Sequence, residues 1–228
     1  MRGLGRKSSG TDMVSDADRD AEGLLVELLR GERPADGLLG EEGSSVEGES
    51  GRRWVIDPLD GTTNFLYGYP AWCVSVAVED RSGALAGAVF DPGRDELFSA
   101  ARGAGTHLNG RPVRVRDERP AERALVATGF SYDPDRRAEQ GRVLAALVAR
   151  VRDVRRGGSA ALDLSWLAAG RLDGYYERGL KPWDWAAGRL LVEEAGGAVA
   201  ELPGEPPGLA AAASGPLLAE LQVLLEAA

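Results

Sequence analysis

The chain has 228 residues, enough for one substantial core or two small ones, and its formal net charge is −9 because 36 Asp and Glu outnumber 27 Lys and Arg. This acidic balance argues against a nucleic-acid or anionic-membrane partner, and no stretch has the roughly 18 uncharged apolar residues of a membrane span. The single cysteine, Cys73, excludes an intramolecular disulfide and fits the cytoplasm, and the single histidine, His107, gives no support to histidine-based catalysis or zinc binding.

The first half of the chain predicts one amphipathic helix followed by a run of strands. Leucines at helical spacing predict the helix over residues 18–30, with Ser15 and Asp16 as its cap. A short apolar strand at residues 54–56 ends in an Asp-Pro-Leu-Asp-Gly turn, where Pro and Gly stop it. An antiparallel meander follows, with strands at residues 72–79, 84–90 and 96–101. Asn109-Gly110 predicts a further tight turn.

Helices dominate the second half of the chain. Strands are predicted at residues 124–128, near Val154 and at residues 174–177, and helices at residues 137–151, 159–169, 183–195 and 216–226. Residues 202–215, rich in Pro, Gly and Ala, predict a loop. The mixture predicts an α/β fold of the α+β layered-sandwich type, with helices alternating with mixed sheets. We expect a single domain over residues 1–228, with an N-terminal lobe at about 1–120 and a C-terminal lobe at about 121–228.

Two carboxylates mark the end of the first strand. Asp57 and Asp60 flank a Pro-Leu pair, and the turn can also present the carbonyl oxygen of Leu59. Carboxylates gathered in a partly buried pocket call for a cation, and oxygen ligands suit Mg²⁺ or Mn²⁺ better than zinc. The alternative is an ordinary Asp-Pro turn capped by its own side chains. Gly61 and Thr62 then begin a helix whose N–H groups can bind an anion, which favours the metal-site interpretation.

The run from Trp54 to Phe65 resembles the first signature of the inositol monophosphatase family. A second block is similar to the C-terminal signature of that family in order and spacing, and it comprises Gly158-Ser159-Ala160, Tyr175-Tyr176-Glu177 and Trp183-Asp184-Trp185. Gly40-Glu41-Glu42 resembles the family's upstream acidic segment, although the loop from there to Asp57, residues 41–53, is short and is expected to be a mobile surface loop. The resemblance runs from about Lys7 to Gly197. Family members normally have a long helix before this lysine, so it stays open whether the natural chain starts upstream of Met1.

This resemblance implies a Mg²⁺-dependent phosphate monoesterase with the sugar-phosphatase fold. The implied metal ligands are Glu41, Asp57, the Leu59 carbonyl, Asp60 and Asp184. They would hold two Mg²⁺ ions that share Asp57; a third ion near Asp18 is compatible with the family pattern, and Mn²⁺ can substitute. Thr62 and Asp18 are implied to orient and deprotonate the attacking water. The implied substrate-binding residues are Leu59, Asp60, Gly61, Thr62, Gly158, Ser159, Ala160, Glu177 and Asp184.

The resemblance also implies partners and an inhibitor. The expected partners are a small phosphorylated polyol and a second copy of the chain in a homodimer, and Li⁺ is expected to inhibit by competing at the second metal. On the residues alone, Glu177 could be an ordinary exposed strand residue, and Arg155-Arg156 a solvated pair rather than a phosphate contact.

Three functions are compatible with these patterns. The leading hypothesis is hydrolysis of myo-inositol 1-phosphate. The second keeps the chemistry and changes the alcohol, to fructose 1,6-bisphosphate, histidinol phosphate or adenosine 3′,5′-bisphosphate. The third is a non-catalytic family member that binds a partner protein or a phosphorylated ligand; the intact set of mutually repelling carboxylates argues against it.

Overall fold

The computed structural model describes residues 5–6, 13–14 and 16–227. Within them the helices are α1 (Asp16–Glu32), α2 (Thr62–Tyr67), α3 (Pro134–Leu147), α4 (Ala160–Ala168), α5 (Pro182–Glu194) and α6 (Gly215–Glu226). Lys7 and Ser15, which the sequence analysis used as the start of the resemblance and as a helix cap, lie outside the described residues. Among the described helices, none combines the length and the apolar character that a membrane crossing requires.

The first half of the chain forms a large mixed sheet. Its strands are β3 (Gly37–Gly40), β4 (Ser45–Val46), β5 (Arg53–Asp60), β6 (Cys73–Asp80), β7 (Gly83–Asp91), β8 (Glu96–Ala101), β9 (Gly105–Leu108) and β10 (Arg111–Val113). Their order is β10-β9-β8-β7-β6-β5-β3-β4, and only the β3–β5 pair is parallel. Before them, β1 (Gly5–Arg6) and β2 (Met13–Val14) form an antiparallel pair. Asn109 and Gly110, with φ of 49° and 74°, make the predicted tight turn between β9 and β10.

The second half forms a five-stranded mixed sheet. Its strands are β11 (Leu125–Thr128), β12 (Asp153–Arg155), β13 (Gly174–Arg178), β14 (Ala198–Leu202) and β15 (Gly208–Ala212). They lie in the order β12-β11-β13-β15-β14, with β11 parallel to both of its neighbours and the remaining pairs antiparallel.

Helices and sheets alternate in layers. Helices α4 and α5 pack against each other between the two sheets, α1 lies on the far side of the large sheet, and α3 and α6 cover the far side of the small one. The layers approach closely where glycine permits it, since a Cβ on Gly188 of α5 would lie 2.7 Å from Leu164 of α4. The predicted layered α/β sandwich is therefore confirmed. The division into two lobes near residue 120 stays a prediction, which the position of the two sheets supports.

Three predicted elements are placed differently by the structure. Residues 202–215 are not a loop throughout, because β15 (Gly208–Ala212) is buried between β13 and β14 in the small sheet. The third helix begins at Pro134 rather than at residue 137, because the Asp133 side chain accepts hydrogen bonds from the first turn, and it ends before Val151. Strand β5 continues through the Asp-Pro turn to Asp60, with a register shift that accommodates the extra residues.

The buried face of α1 differs from the face that its leucines suggested. Leu24 and Leu28 are 59% and 57% exposed, whereas Asp18 and Glu22 are buried. Both carboxylates find hydrogen-bond donors inside the fold, and burial of a charged group is tolerated when it is paired in this way. The helix is amphipathic, but its buried stripe includes acidic residues.

Candidate active site

Strand β5 carries two carboxylates to its carboxyl end. Asp57 pairs with Ser75 of β6 and Asp60 pairs with Cys73, and the register shifts between these two pairs. Oδ1 of Asp57 accepts a hydrogen bond from the Leu59 N–H at 3.0 Å, so the self-capped turn of the alternative interpretation is present. That bond occupies one lone pair of one carboxylate oxygen, and it fixes Asp57 within the turn.

Glu41 reaches the same place from the neighbouring strand. Because β3 and β5 are parallel, their carboxyl ends meet at one edge of the sheet, and Gly40 is aligned with Ile56. The Glu41 N–H donates to the Ile56 carbonyl at 3.2 Å, which places its side chain beside Asp57. Burial raises the pKa of Asp57 well above its usual range, and the neighbouring charge of Glu41 raises it further.

Asp184 enters the site from the first turn of α5. Pro182 occupies the first position of this helix, and Oδ2 of Asp184 accepts a hydrogen bond from the Lys181 N–H at 2.6 Å. Burial raises the pKa of Asp184 well above its usual range, followed in effect by the charge of Asp60. The start of α5 thus contributes a fixed carboxylate to the end of β5.

The start of α4 holds Asp60. Oδ2 of Asp60 accepts hydrogen bonds from the Ser159 hydroxyl at 2.8 Å and from the Ala161 N–H at 2.7 Å. The Ser159 oxygen in turn accepts from the Leu162 N–H as the cap of the helix. Burial raises the pKa of Asp60 to about 7, although both hydrogen bonds act to lower it.

These carboxylates form a donor set that fits a hard divalent cation. Glu41, Asp57, Asp60 and Asp184 offer only oxygen, and their mutual repulsion under burial, seen in the raised pKa values, is what a cation would relieve. Among residues 16–227, no three Asp, Glu, His or Cys side chains are already closed into a coordination sphere.

Thr62 and Asp18 form a buried pair beside the carboxylates. The Thr62 hydroxyl donates to Oδ1 of Asp18 at 2.9 Å and also lies 3.2 Å from the Leu59 carbonyl oxygen. Gly61 precedes the pair with φ of 101°, and a Cβ there would lie 3.0 Å from the Ala71 carbonyl, so this turn requires glycine. The structure therefore joins the two residues that the resemblance paired.

Glu177 lies on the opposite wall of the site. The Tyr175 hydroxyl donates to its Oε2 at 2.7 Å, and its carboxyl group packs directly against Gly129, where a Cβ would lie 2.0 Å from Oε2. Burial raises the pKa of Glu177 to about 6, against the lowering effects of the Tyr175 hydrogen bond and the Arg156 charge. Glu177 is thus a built-in acceptor rather than the exposed strand residue of the alternative interpretation.

One open cavity of about 880 Å³ connects these groups. The predicted site residues that line it are Glu41, Asp57, Leu59, Asp60, Gly61, Thr62, Gly158, Ser159, Ala160, Glu177 and Asp184. Asp18 is completely buried and contacts Thr62 instead. Of the two arginines, Arg155 forms an ion pair with Asp153 at 2.8 Å, whereas Arg156 lines the cavity.

Sequence reasoning missed several residues that shape this site. Tyr175 and Gly129 position Glu177, and Glu22 holds the loop that carries Glu41. Asp163 also lines the cavity, and burial raises its pKa well above its usual range, followed by the charge of Glu177. Strand spacing could have found Tyr175, which lies two residues before Glu177 on one face of β13, whereas the contacts of Gly129 and Glu22 depend on how distant segments fold together.

Fold and cavity together define a layered α/β sandwich with an acidic, oxygen-rich site where a strand and two helices meet. A model of the inositol monophosphatase family matches residues 2–228. The chain is 49% identical over 191 residues to the inositol-1-monophosphatase of Rhizobium meliloti. This alignment covers 82% of this chain and 71% of that protein. The chain therefore belongs to the inositol monophosphatase family, a family of phosphatases.

Other relatives carry a different name. The Nus factor SuhB of Xylella fastidiosa is 46% identical over 199 residues, covering 87% of this chain and 72% of that protein. Among solved structures, the extragenic suppressor protein suhB from Bartonella henselae superposes with a TM-score of 0.91 at 40% identity, covering 98% of this chain and 88% of that one.

Proposed function

We propose that the chain hydrolyses the phosphate monoester of a small polyol in a Mg²⁺-dependent reaction, with myo-inositol 1-phosphate converted to myo-inositol and phosphate. The observation that carries this proposal is that four carboxylates line one cavity together with Thr62, which is bonded to Asp18. The name of the Rhizobium relative, inositol-1-monophosphatase, supports the choice of substrate.

The metal ions would be held by Glu41, Asp57, the Leu59 carbonyl, Asp60 and Asp184. We propose two Mg²⁺ ions, which these oxygen ligands would suit, and Mn²⁺ is expected to substitute because it accepts the same oxygen ligands. When bound, such ions lower the pKa of a water molecule and stabilise charge on the transferring phosphoryl group and the leaving oxygen. Li⁺ is expected to inhibit by competition at the second of these ions.

Thr62 and Asp18 would handle the proton of the attacking water. The Thr62 hydroxyl donates its proton to Asp18 Oδ1, which leaves its oxygen able to accept a hydrogen bond, and Thr62 lines the cavity. A water that donates to Thr62 would thereby be oriented; its proton would pass to the Thr62 oxygen while the Thr62 proton passes to Asp18. The N–H groups of Gly61 and Thr62 would hold phosphate oxygens.

Glu177 and the start of α4 would bind the alcohol part of the substrate. When the pH is above its pKa of about 6, the Glu177 carboxylate is an acceptor for ring hydroxyls. Gly158, Ser159 and Ala160 line the same cavity and would form the other wall. A polyol with adjacent hydroxyl groups suits this polar lining.

Phosphate release from a panel of esters tests the substrate. The panel comprises myo-inositol 1-phosphate, fructose 1,6-bisphosphate, histidinol phosphate and adenosine 3′,5′-bisphosphate, each with and without Mg²⁺. We expect the highest kcat/KM for the inositol ester. A higher kcat/KM for another ester would support the same reaction and identify that ester as the preferred substrate.

A partner-binding role is the second candidate, because the Xylella relative with 46% identity is named Nus factor SuhB. This role does not require a metal, whereas the phosphatase does. A melting temperature that Mg²⁺ does not raise, together with no hydrolysis of any ester in the panel, would favour it.

On family grounds we also propose that the chain is a cytoplasmic homodimer. Sedimentation of the purified chain would test the dimeric state.

A further inference from the structure

Glu22 is a buried carboxylate on α1 to which the proposed reaction assigns no role. It is only 3% exposed, and the donors that the described residues offer it are backbone N–H groups. Oε2 accepts a hydrogen bond from the Glu42 N–H at 2.8 Å, and Oε1 accepts one from the Ser44 N–H at 3.0 Å. One side chain of α1 thus binds two backbone donors of a loop twenty residues further along the chain.

The loop fits around this carboxylate. The Glu22 carboxyl group packs against Gly40, where a Cβ would lie 2.5 Å from Oε2. The Gly40 N–H donates to the Ser44 carbonyl at 2.7 Å and closes the loop, which turns at Gly43 with φ of 112°. Residues 40–44 therefore form a short closed turn whose inward N–H groups need the Glu22 carboxylate as their acceptor.

Glu41 is the residue that this turn presents. Its own N–H is bound to the Ile56 carbonyl, and the bonds from Glu42 and Ser44 to Glu22 fix the residues that follow it. Its side chain lies beside Asp57, and when both carboxylates are charged their repulsion favours movement of the loop away from β5 unless the backbone is anchored.

We propose that Glu22 is a positioning residue that holds Glu41 in place for metal binding and thereby sets the affinity of the site for Mg²⁺. The proposal rests on the metal role given to Glu41 in the proposed function. Residues that orient metal ligands commonly change metal affinity about 10–100-fold when they are replaced.

Glu22→Gln tests this role with little change in volume. The amide offers one oxygen and one NH₂ group, so one of the two loop N–H groups loses its acceptor and faces a donor. Calorimetric titration of the purified full chain with Mg²⁺ should give a dissociation constant about 10–100-fold higher than that of the unchanged chain. Saturating Mg²⁺ should restore kcat. Glu27→Gln, an exposed carboxylate on the same helix, is the matched control and should leave both values unchanged.

Gly40→Ala is an independent variant that keeps the carboxylate but displaces it. It should also weaken Mg²⁺ binding. If Glu22→Gln does not fold, amide hydrogen exchange is measured in the unchanged chain instead. We then expect slow exchange of the Glu42 and Ser44 amides, because both donate to Glu22. Unaltered Mg²⁺ binding in the folded variants, or rapid exchange of both amides, would overturn the proposal. The titration needs no turnover, so a chain that binds Mg²⁺ but hydrolyses no ester contradicts the proposed function and not the role of Glu22.

Discussion

Thr62 connects two segments of the site that are 44 positions apart in the sequence. Its hydroxyl donates to the buried Asp18, and its oxygen lines the cavity beside the carboxylates. A hydroxyl in this position either relays a proton or simply satisfies Asp18. These two roles can be separated, because only the first affects the rate of a chemical step.

Thr62→Val removes the hydroxyl and preserves the shape of the side chain. We expect kcat for phosphate release to fall about 100-fold or more, since general-base assistance is typically worth 10²–10⁴. The Mg²⁺ dissociation constant should stay unchanged. Thr63→Val is the control, because Thr63 is the next residue of α2 and its hydroxyl lies 3.3 Å from the Tyr132 hydroxyl rather than on Asp18. An equal loss of kcat in both variants would contradict the role of Thr62.

Gly129 offers a test of Glu177 without any change to Glu177 itself. An added Cβ would lie 2.0 Å from Oε2, so Gly129→Ala must displace the carboxylate from the Tyr175 hydroxyl. We expect kcat/KM for myo-inositol 1-phosphate to fall about tenfold or more, the value of a hydrogen bond to a charged group. Hydrolysis of p-nitrophenyl phosphate, which has no ring hydroxyl, should be retained. Equal losses on both esters would show that the wall does not bind hydroxyls.

At the scale of elements, the site depends on how closely α4 and α5 pack between the sheets. Gly188 lets α5 approach Leu164 of α4, and the starts of these two helices hold Asp60 and Asp184. An exposed glycine in α1, Gly23, has nothing within 4 Å of the position that a Cβ would take. The two glycines therefore have opposite roles in stability.

Alanine at each of these two positions should change the free energy of unfolding in opposite directions. We expect Gly23→Ala to stabilise the chain by about 1 kcal/mol, through helix propensity alone. Gly188→Ala should destabilise it by about 1–3 kcal/mol, because the new methyl group collides with a buried leucine. Urea denaturation measures both changes. A stabilising Gly188→Ala would contradict the close contact between the helices.

The elements that could be predicted from the sequence are those with strong local signals. The meander strands are short apolar runs separated by turns, and the Asn109-Gly110 turn has the residues that its backbone requires. Strand β15 has no such signal, since Gly208–Ala212 contains only Gly, Leu and Ala and is a strand because β13 and β14 pair with it. Tertiary pairing outweighs local propensity there.

The site could be predicted in outline for a different reason. Most of its residues lie in two signature blocks, at residues 54–65 and 158–185, and the structure brings both blocks to one cavity. The supporting residues are scattered along the chain. The apolar pattern of α1 predicts that its leucines are buried, whereas the structure buries Asp18 and Glu22 and exposes Leu24 and Leu28. Whether a carboxylate is buried depends on donors elsewhere in the fold, which the sequence of one helix does not contain.

At the scale of the whole molecule, the clustered carboxylates should make stability depend on pH. The folded pKa values of Asp60 and Glu177 are about 7 and about 6, above the ordinary 3.8 and 4.5. Between these values the folded chain binds more protons than the unfolded chain, so the free energy of unfolding falls as pH rises from about 4 to about 7. Carboxyl groups whose pKa is lowered by folding, such as Asp36 and Glu96, change the free energy of unfolding mainly below pH 4.5. They therefore leave the trend from pH 5 to pH 7 unaffected.

Thermal melting without Mg²⁺ at several pH values tests this dependence. We expect a higher melting temperature at pH 5 than at pH 7, by at least the 2–4 °C or so that 1 kcal/mol produces in a domain of this size. Added Mg²⁺ should raise the melting temperature more at pH 7, where the ligands have lost their protons. A melting temperature that rises from pH 5 to pH 7 without Mg²⁺ would contradict the electrostatics of the site.

The most direct measurement is phosphate release from myo-inositol 1-phosphate as a function of Mg²⁺, for the unchanged chain and for Asp57→Asn. Asp57 is the carboxylate that lies among all the others, so its replacement should reduce turnover more than about 100-fold, beyond the range for residues that only orient ligands. We expect saturable, Mg²⁺-dependent release from the unchanged chain and almost none from the variant. Release that needs no divalent cation, or that survives in Asp57→Asn, would contradict the assignment of this cavity as the catalytic site.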